Sequence, residues 1–221
     1  VPAFELLPRI AIVFLTRHVD GARDPFAGPH PWYVLVEISS ARDDGAAREA
    51  LEASLGEASE RGLVEDAVVA GSLEQANRLW KLRHELSDVQ RFEGGSIKHD
   101  VAVPVADVPA FLDEAIAAVT ALVPGCRPVP FGHLGDGNIH FNVTQPVGGD
   151  KEAFLAAWDP VNEAVHAVVR RYGGSIAAEH GIGRLKRKLL PTVRSALDIE
   201  LMQKIKAAFD PNGILAPGRI L

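Results

Sequence analysis

Apolar positions recur along the chain at two spacings, and their alternation sets the expected fold. Residues 72–91 place Leu79, Leu82, Leu86 and Val89 at steps of three and four, the period of one helix face. Residues 151–172 carry the clearest stripe, Phe154, Trp158, Val161, Val165 and Val168, closed by Gly173-Gly174. Helices are also expected over 43–61, 106–123, 181–190 and 197–209. Strands are expected where β-branched and aromatic residues run between breakers, at Trp32–Ser39 and Val64–Ala70. Ile97 to Val103 alternates, with Ile97, His99, Val101 and Val103 on one side. Pro128–His133 and Ile139–Val143 read as two strands around a tight turn, and Ser175–Glu179 as a short strand. Residues 2–16 read as a short helix or an apolar arm, followed by a Pro-, Gly- and His-rich loop from Asp20 to Pro31. This order predicts an α+β fold: a mostly antiparallel sheet with helices packed on one face.

Composition narrows the picture. The 221 residues amount to one domain, and no Gly-x-Gly-x-x-Gly or P-loop gives it a nucleotide site of its own. A formal charge of 23 − 29 = −6 argues against a nucleic-acid partner. The longest apolar run, Ile10–Leu15, falls well below the roughly 20 residues of a membrane span. Cys126 is the only cysteine, which excludes an internal disulfide framework and suits a reducing compartment. The chain begins at Val1 and Met202 is its only methionine, so an upstream portion of the polypeptide is expected.

Chemistry concentrates in two stretches. In GHLGDGNIHFNV, residues 132–143, Asp136-Gly137 is a hairpin signal for a two-residue turn. That turn would set His133 directly opposite His140, with Cβ atoms about 4.5–5.5 Å apart, close enough to share a metal ion. Asn142 points to the same side as His140. In AAEHGIG, residues 177–183, Glu179 is either a third ligand or a capping carboxylate at a Gly-rich helix start. A His2Glu set leaves a coordination position open, and His180 beside it is a candidate general base. On the 72–91 helix, Trp80, Arg83 and Ser87 share the side opposite the leucine stripe. Arg83 there is either solvated or a carboxylate clamp, and Lys98 is either a second cation or a partner of Asp100. The run Arg184, Lys186, Arg187, Lys188 reads as a solvated helix face.

Together with the tail FDPNGILAPGRIL, these motifs resemble the C-terminal domain of FAD-linked oxidases of the vanillyl-alcohol-oxidase-like superfamily. That group includes D-lactate dehydrogenases, the glycolate oxidase flavin subunit and D-2-hydroxyglutarate dehydrogenase. RDPFAGPHPWYVLVEIS and the pair WKLRHELS and SIKHD look most like the last branch. The resemblance covers all 221 residues and implies a ferredoxin-like substrate- and metal-binding domain, with FAD carried mainly by an upstream domain absent from this chain. It implies a divalent metal, zinc first, on His133, His140 and Glu179. It implies substrate carboxylates held by Arg83, Ser87 and Lys98, with Asn142 nearby and His180 as base. A hydride would pass from C2 of a D-2-hydroxy acid to the flavin. Two cations suit a dicarboxylate such as D-2-hydroxyglutarate; D-lactate or glycolate oxidation, or a non-catalytic carboxylate-binding module, are the alternatives. Electrons would continue to a quinone, an electron-transfer flavoprotein or a cytochrome. The expected location is cytoplasmic or peripheral to a membrane. Ser87 stands where relatives often have Thr, and Ala216 where they often have Asn, which removes a side-chain hydrogen bond from the tail.

Overall fold

The computed structural model describes residues 1–42 and 44–221; Asp43, the first residue of one predicted helix, lies outside them. Its centre is one antiparallel sheet in the order β2 (Trp32–Glu37), β1 (Ala3–Pro8), β5 (Arg127–His133), β6 (Asn138–Thr144), β3 (Ser96–Ile97), with β4 (Asp100–Ala102) also paired to β6. The predicted α+β class and antiparallel sheet are thus observed.

The first predicted element divides in two. The apolar run has no single period, and Pro8 splits it into β1 (Ala3–Pro8) and α1 (Arg9–His18). Proline has no N–H for a ladder but suits the residue just before a helix. β2 (Trp32–Glu37) lies along β1 at the sheet edge. α2 (Ala46–Glu60) follows. Val64–Ala70 is not a strand: among the described residues it pairs with no neighbour, and Val68 is half exposed. The 72–91 helix is interrupted at Glu85 into α3 (Leu73–His84) and α4 (Leu86–Val89), capped by Ser72 Oγ accepting the Gln75 N–H. The predicted strand 97–103 is broken into β3 (Ser96–Ile97) and β4 (Asp100–Ala102) in one register against β6. His99 interrupts it, because its ring Nδ1 donates to the Phe141 carbonyl at 2.7 Å.

α5 (Val108–Leu122) leads into the hairpin β5 (Arg127–His133) and β6 (Asn138–Thr144). The next predicted helix is split into α6 (Lys151–Leu155) and α7 (Trp158–Arg171), with Pro160 in the first turn of α7, where its missing N–H costs nothing. Two further predictions fail. Ser175–Glu179 makes only one bridge, Ser175 with Ala102. Residues 181–186 are bends and turns, since Gly181 and Gly183 hold positive φ of 68° and 55°, and helical structure begins only with a 3-10 turn at Arg187–Leu189. α8 (Leu190–Val193) and α9 (Ala196–Phe209) end the chain's regular structure.

Strand alternation sorts the sheet into two faces. Ile139, Phe141 and Val143 of β6 face one way, into a core with Val101, Phe111, Val119, Val161, Val165 and Ile176 under α5 and α7. On the other face α1, α3 and α4 cover Leu7, Val129 and Phe131. The rest of that second face is polar. α9 stands apart: Leu197, Leu201, Ile205 and Phe209 recur every fourth residue, and all are 48–81% exposed. Among the described residues no helix is long and apolar enough to cross a membrane.

Candidate metal and substrate site

The polar face is built by the β5–β6 hairpin, and its register differs from the predicted one. His133 lies opposite Asn138, and His140 opposite Phe131. Leu134–Gly137 form a four-residue turn in place of a two-residue one. Gly137 is required there, since a Cβ would overlap the Val103 carbonyl, while the Val103 N–H donates to the Gly137 carbonyl at 3.1 Å. The slip is two residues, so both histidines keep the same side of the sheet. They meet diagonally, with ring centroids 5.9 Å apart.

Glu179 reaches this pair from the 176–186 segment and not from a strand end. Its Oε1 is 3.3 Å from His133 Nε2 and its Oε2 is 3.9 Å from His140 Nε2. One donor atom from each of the three residues lies within 4.8 Å of the others. Such a set fits a single divalent cation with bonds of about 2.0–2.2 Å after small side-chain movements, leaving a coordination position open.

The carboxylate that orients His133 was not foreseen. Glu5 of β1 pairs with His133 in register, and its Oε1 accepts from His133 Nδ1 at 2.7 Å. A carboxylate only accepts, so Nδ1 is the donor, and Nε2 is the ring nitrogen that faces Glu179. The sequence signal was a single acid inside the apolar run AFELLP. Glu5 Oε2 accepts from Arg83 Nε at 2.7 Å, and Arg83 is buried with its guanidinium 5.1 Å over the Phe131 ring. Arg83 is therefore not on a solvated helix face; its long side chain turns onto the sheet beside Leu82. Burial pushes the His140 pKa down, the Arg83 charge pushes the same way, and Asp100 and Glu179 oppose it.

Asp100 and Gln90 were also missed. Asp100 is opposite His140 in β4, and it accepts the N–H of Glu179 and of His180 as well as the Asn138 amide. Burial alone would raise its pKa, but the His180 N–H, the Asn138 amide and the Glu179 N–H hold it below the ordinary range. Its oxygens are thus filled from the main chain and Asn138, and Lys98 is exposed two residues away. Asn142 is buried on the same face and donates to Gln90 Oε1 at 3.0 Å. The His180 ring stacks over His140, with centroids 5.9 Å apart and 23° between planes, and its side chain is 70% exposed. Ser87 is exposed on α4, and neither Ser87 nor Lys98 makes a side-chain hydrogen bond among the described residues. Lys186 also departs from its predicted solvated face: its Nζ turns inward to the Ile176 carbonyl.

The family model described as FAD linked oxidases, C-terminal domain, matches residues 1–220. The chain belongs to this family. It is 42% identical over 196 residues to a D-2-hydroxyglutarate dehydrogenase of Stutzerimonas stutzeri, covering 89% of this chain and 42% of that protein. It is 39% identical over 219 residues to one of Xanthomonas citri, covering 99% of this chain and 45% of that protein. A mitochondrial D-2-hydroxyglutarate dehydrogenase of Arabidopsis thaliana is 32% identical over 219 residues, covering 99% of this chain and 38% of that protein. The chain spans less than half the length of these relatives.

Proposed function

We propose that this chain is the substrate- and metal-binding part of an FAD-dependent dehydrogenase that oxidises a D-2-hydroxy dicarboxylate, D-2-hydroxyglutarate first. The observation that carries the reading is the convergence of His133, His140 and Glu179, with Arg83 joined to the same cluster through Glu5. The relatives' names supply the substrate class, and the family supplies FAD. FAD would be held by a further portion of the polypeptide. The exposed apolar row of α9 supports such a portion, because a lone domain gains nothing by leaving four large side chains in water.

The residues divide the work. His133, His140 and Glu179 hold the cation. When bound, a divalent cation polarises a coordinated hydroxyl and the flavin accepts a hydride. Arg83 places positive charge beside the substrate carboxylate, with Nε kept in place by Glu5. His180 is the proton acceptor: Nδ1 is 3.7 Å from Asp100 Oδ2, which leaves Nε2 to take the hydroxyl proton. Asn142, fixed by Gln90, orients the substrate on the same face. Lys98 and Ser87 are exposed, and Lys98 would meet the distal carboxylate.

Turnover of the full-length protein with a panel of D-2-hydroxy acids and a dye acceptor tests this reading. D-2-hydroxyglutarate or D-malate should be oxidised; activity on D-lactate with none on either dicarboxylate would refute the substrate assignment.

A further inference from the structure

The segment that carries Glu179 and His180 lacks regular structure from Ile176 to Lys186. Gly181 and Gly183 have open space around them, and the side chains of Glu179 and His180 are 49% and 70% exposed. Ile176 and Ile182 anchor the segment in the core, but packing alone does not fix the Glu179 side chain. Polar contacts to one residue hold its main chain. Asp100 Oδ2 accepts the Glu179 N–H at 2.8 Å and the His180 N–H at 2.7 Å. Asp100 Oδ1 accepts from Asn138 Nδ2 at 2.8 Å, and the same amide donates to the Val101 carbonyl at 2.9 Å. The carboxylate is 2% exposed and cannot rotate without breaking these bonds. Lys186 closes the far end of the segment by donating to the Ile176 carbonyl, with its Nζ 3.5 Å from the Asp100 carbonyl.

We propose that Asp100 is a positioning residue: by gripping two consecutive main-chain N–H groups, it sets the Glu179 carboxylate opposite His133 and His140. Charge-assisted bonds from peptide N–H groups are among the strongest a carboxylate accepts, and these two fix the backbone of Glu179 and of its neighbour His180. Asp100 also lies 3.9 Å from His140 Nδ1 and 3.7 Å from His180 Nδ1, both beyond hydrogen-bond reach, so its grip on the Glu179 main chain is the contact that acts on the ligand set. The inference rests on the metal-binding reading above.

Zinc affinity of the full-length protein, measured by competition with a chromophoric chelator, is the test. Asp100→Ala should weaken zinc by about ten- to hundredfold, the range for residues that orient ligands. In a Glu179→Ala background the same change should add no more than about twofold, because the residue through which it acts is gone. Asp100→Asn, whose amide oxygen can still accept both N–H groups but whose NH2 would face the Asn138 amide, should lose less zinc affinity than Asp100→Ala. Equal losses with and without Glu179, or no loss for Asp100→Ala, would overturn the proposal. Hydrogen exchange of the unmodified full-length protein decides it independently of variant folding. The Glu179 and His180 amides should exchange at least about a hundredfold slower than unprotected ones; free exchange would overturn the clamp. Failure of the unmodified protein to take up zinc would refute the metal reading, and the exchange result would then decide the clamp alone.

Discussion

Two pairs of histidines occupy opposite faces of the same sheet with nearly the same ring geometry. His99 and His166, under α7, have centroids 5.7 Å apart and planes at 88°. His133 and His140 have centroids 5.9 Å apart and planes at 73°. Their neighbours differ. His99 donates to the Phe141 carbonyl, and its Nε2 and both His166 nitrogens meet no hydrogen-bonding group among the described residues. Burial drives both pKa values to about 4, with the Lys186 charge pushing the same way. On the other face Glu5 fixes His133, Glu179 faces both rings, and solvent reaches the cluster. Ring spacing therefore does not separate the two histidine pairs; carboxylate neighbours and solvent access do, and only the second pair could hold a metal ion.

The largest expected effect separates the pairs directly. His133→Ala in the full-length protein should weaken zinc by about a thousandfold or more, one ligand's share of a binding free energy of roughly 10–16 kcal/mol. His166→Phe should leave zinc affinity within about threefold, since no metal ligand touches it. Chelator competition reads both, and comparable losses would erase the distinction.

The core pair should instead govern acid stability. Unfolded, each imidazole takes a proton near 6.5; folded, His99 and His166 take one only near pH 4. The unfolded state binds more protons between those values. Their contribution is therefore complete above pH 6.5 and declines as pH falls toward 4, by on the order of 3 kcal/mol per histidine. Denaturant unfolding at a series of pH values should show this slope, and His166→Phe should remove roughly half of it. A flat profile would mean that the core histidines are not held neutral.

A smaller effect is expected one step from the ligands. Glu5→Gln keeps the shape of the side chain but removes the charge that orients His133 and pairs with Arg83. Zinc affinity should fall by about ten- to hundredfold. Smallest is Lys98→Ala, at the exposed rim: KM for D-2-hydroxyglutarate should rise by a few-fold, the scale of an exposed ion pair, with zinc affinity unchanged. Steady-state kinetics beside the chelator assay would distinguish the two.

The fold class and the two-sided character of the hairpin were legible in the sequence, because side-chain parity along a strand survives errors of register. The turn at Leu134–Gly137 is two residues longer than the Asp136-Gly137 signal suggested, and a slip of two leaves His133 and His140 on one side. A slip of one would have buried one member of the pair. The ends of elements were less legible. Pro8 divided a run that read as a short helix or an apolar arm, Pro160 stands near the break in one that read as a single helix, and His99 interrupted a strand by taking a carbonyl with its ring.

By itself the sequence singled out the candidate residues: two histidines on one sheet face, an acid and a histidine in a glycine-rich segment, an arginine on a helix. Local spacing suffices for that, since periods of two and 3.6 residues assign sides. Only the tertiary structure decided who stands behind them. Glu5, Gln90 and Asp100 are 128, 52 and 79 positions from the residues they hold, His133, Asn142 and Glu179. Such contacts arise from strand order and packing, which no local pattern encodes. They turn Arg83 inward, and they give one histidine pair carboxylate partners while the other remains in the core.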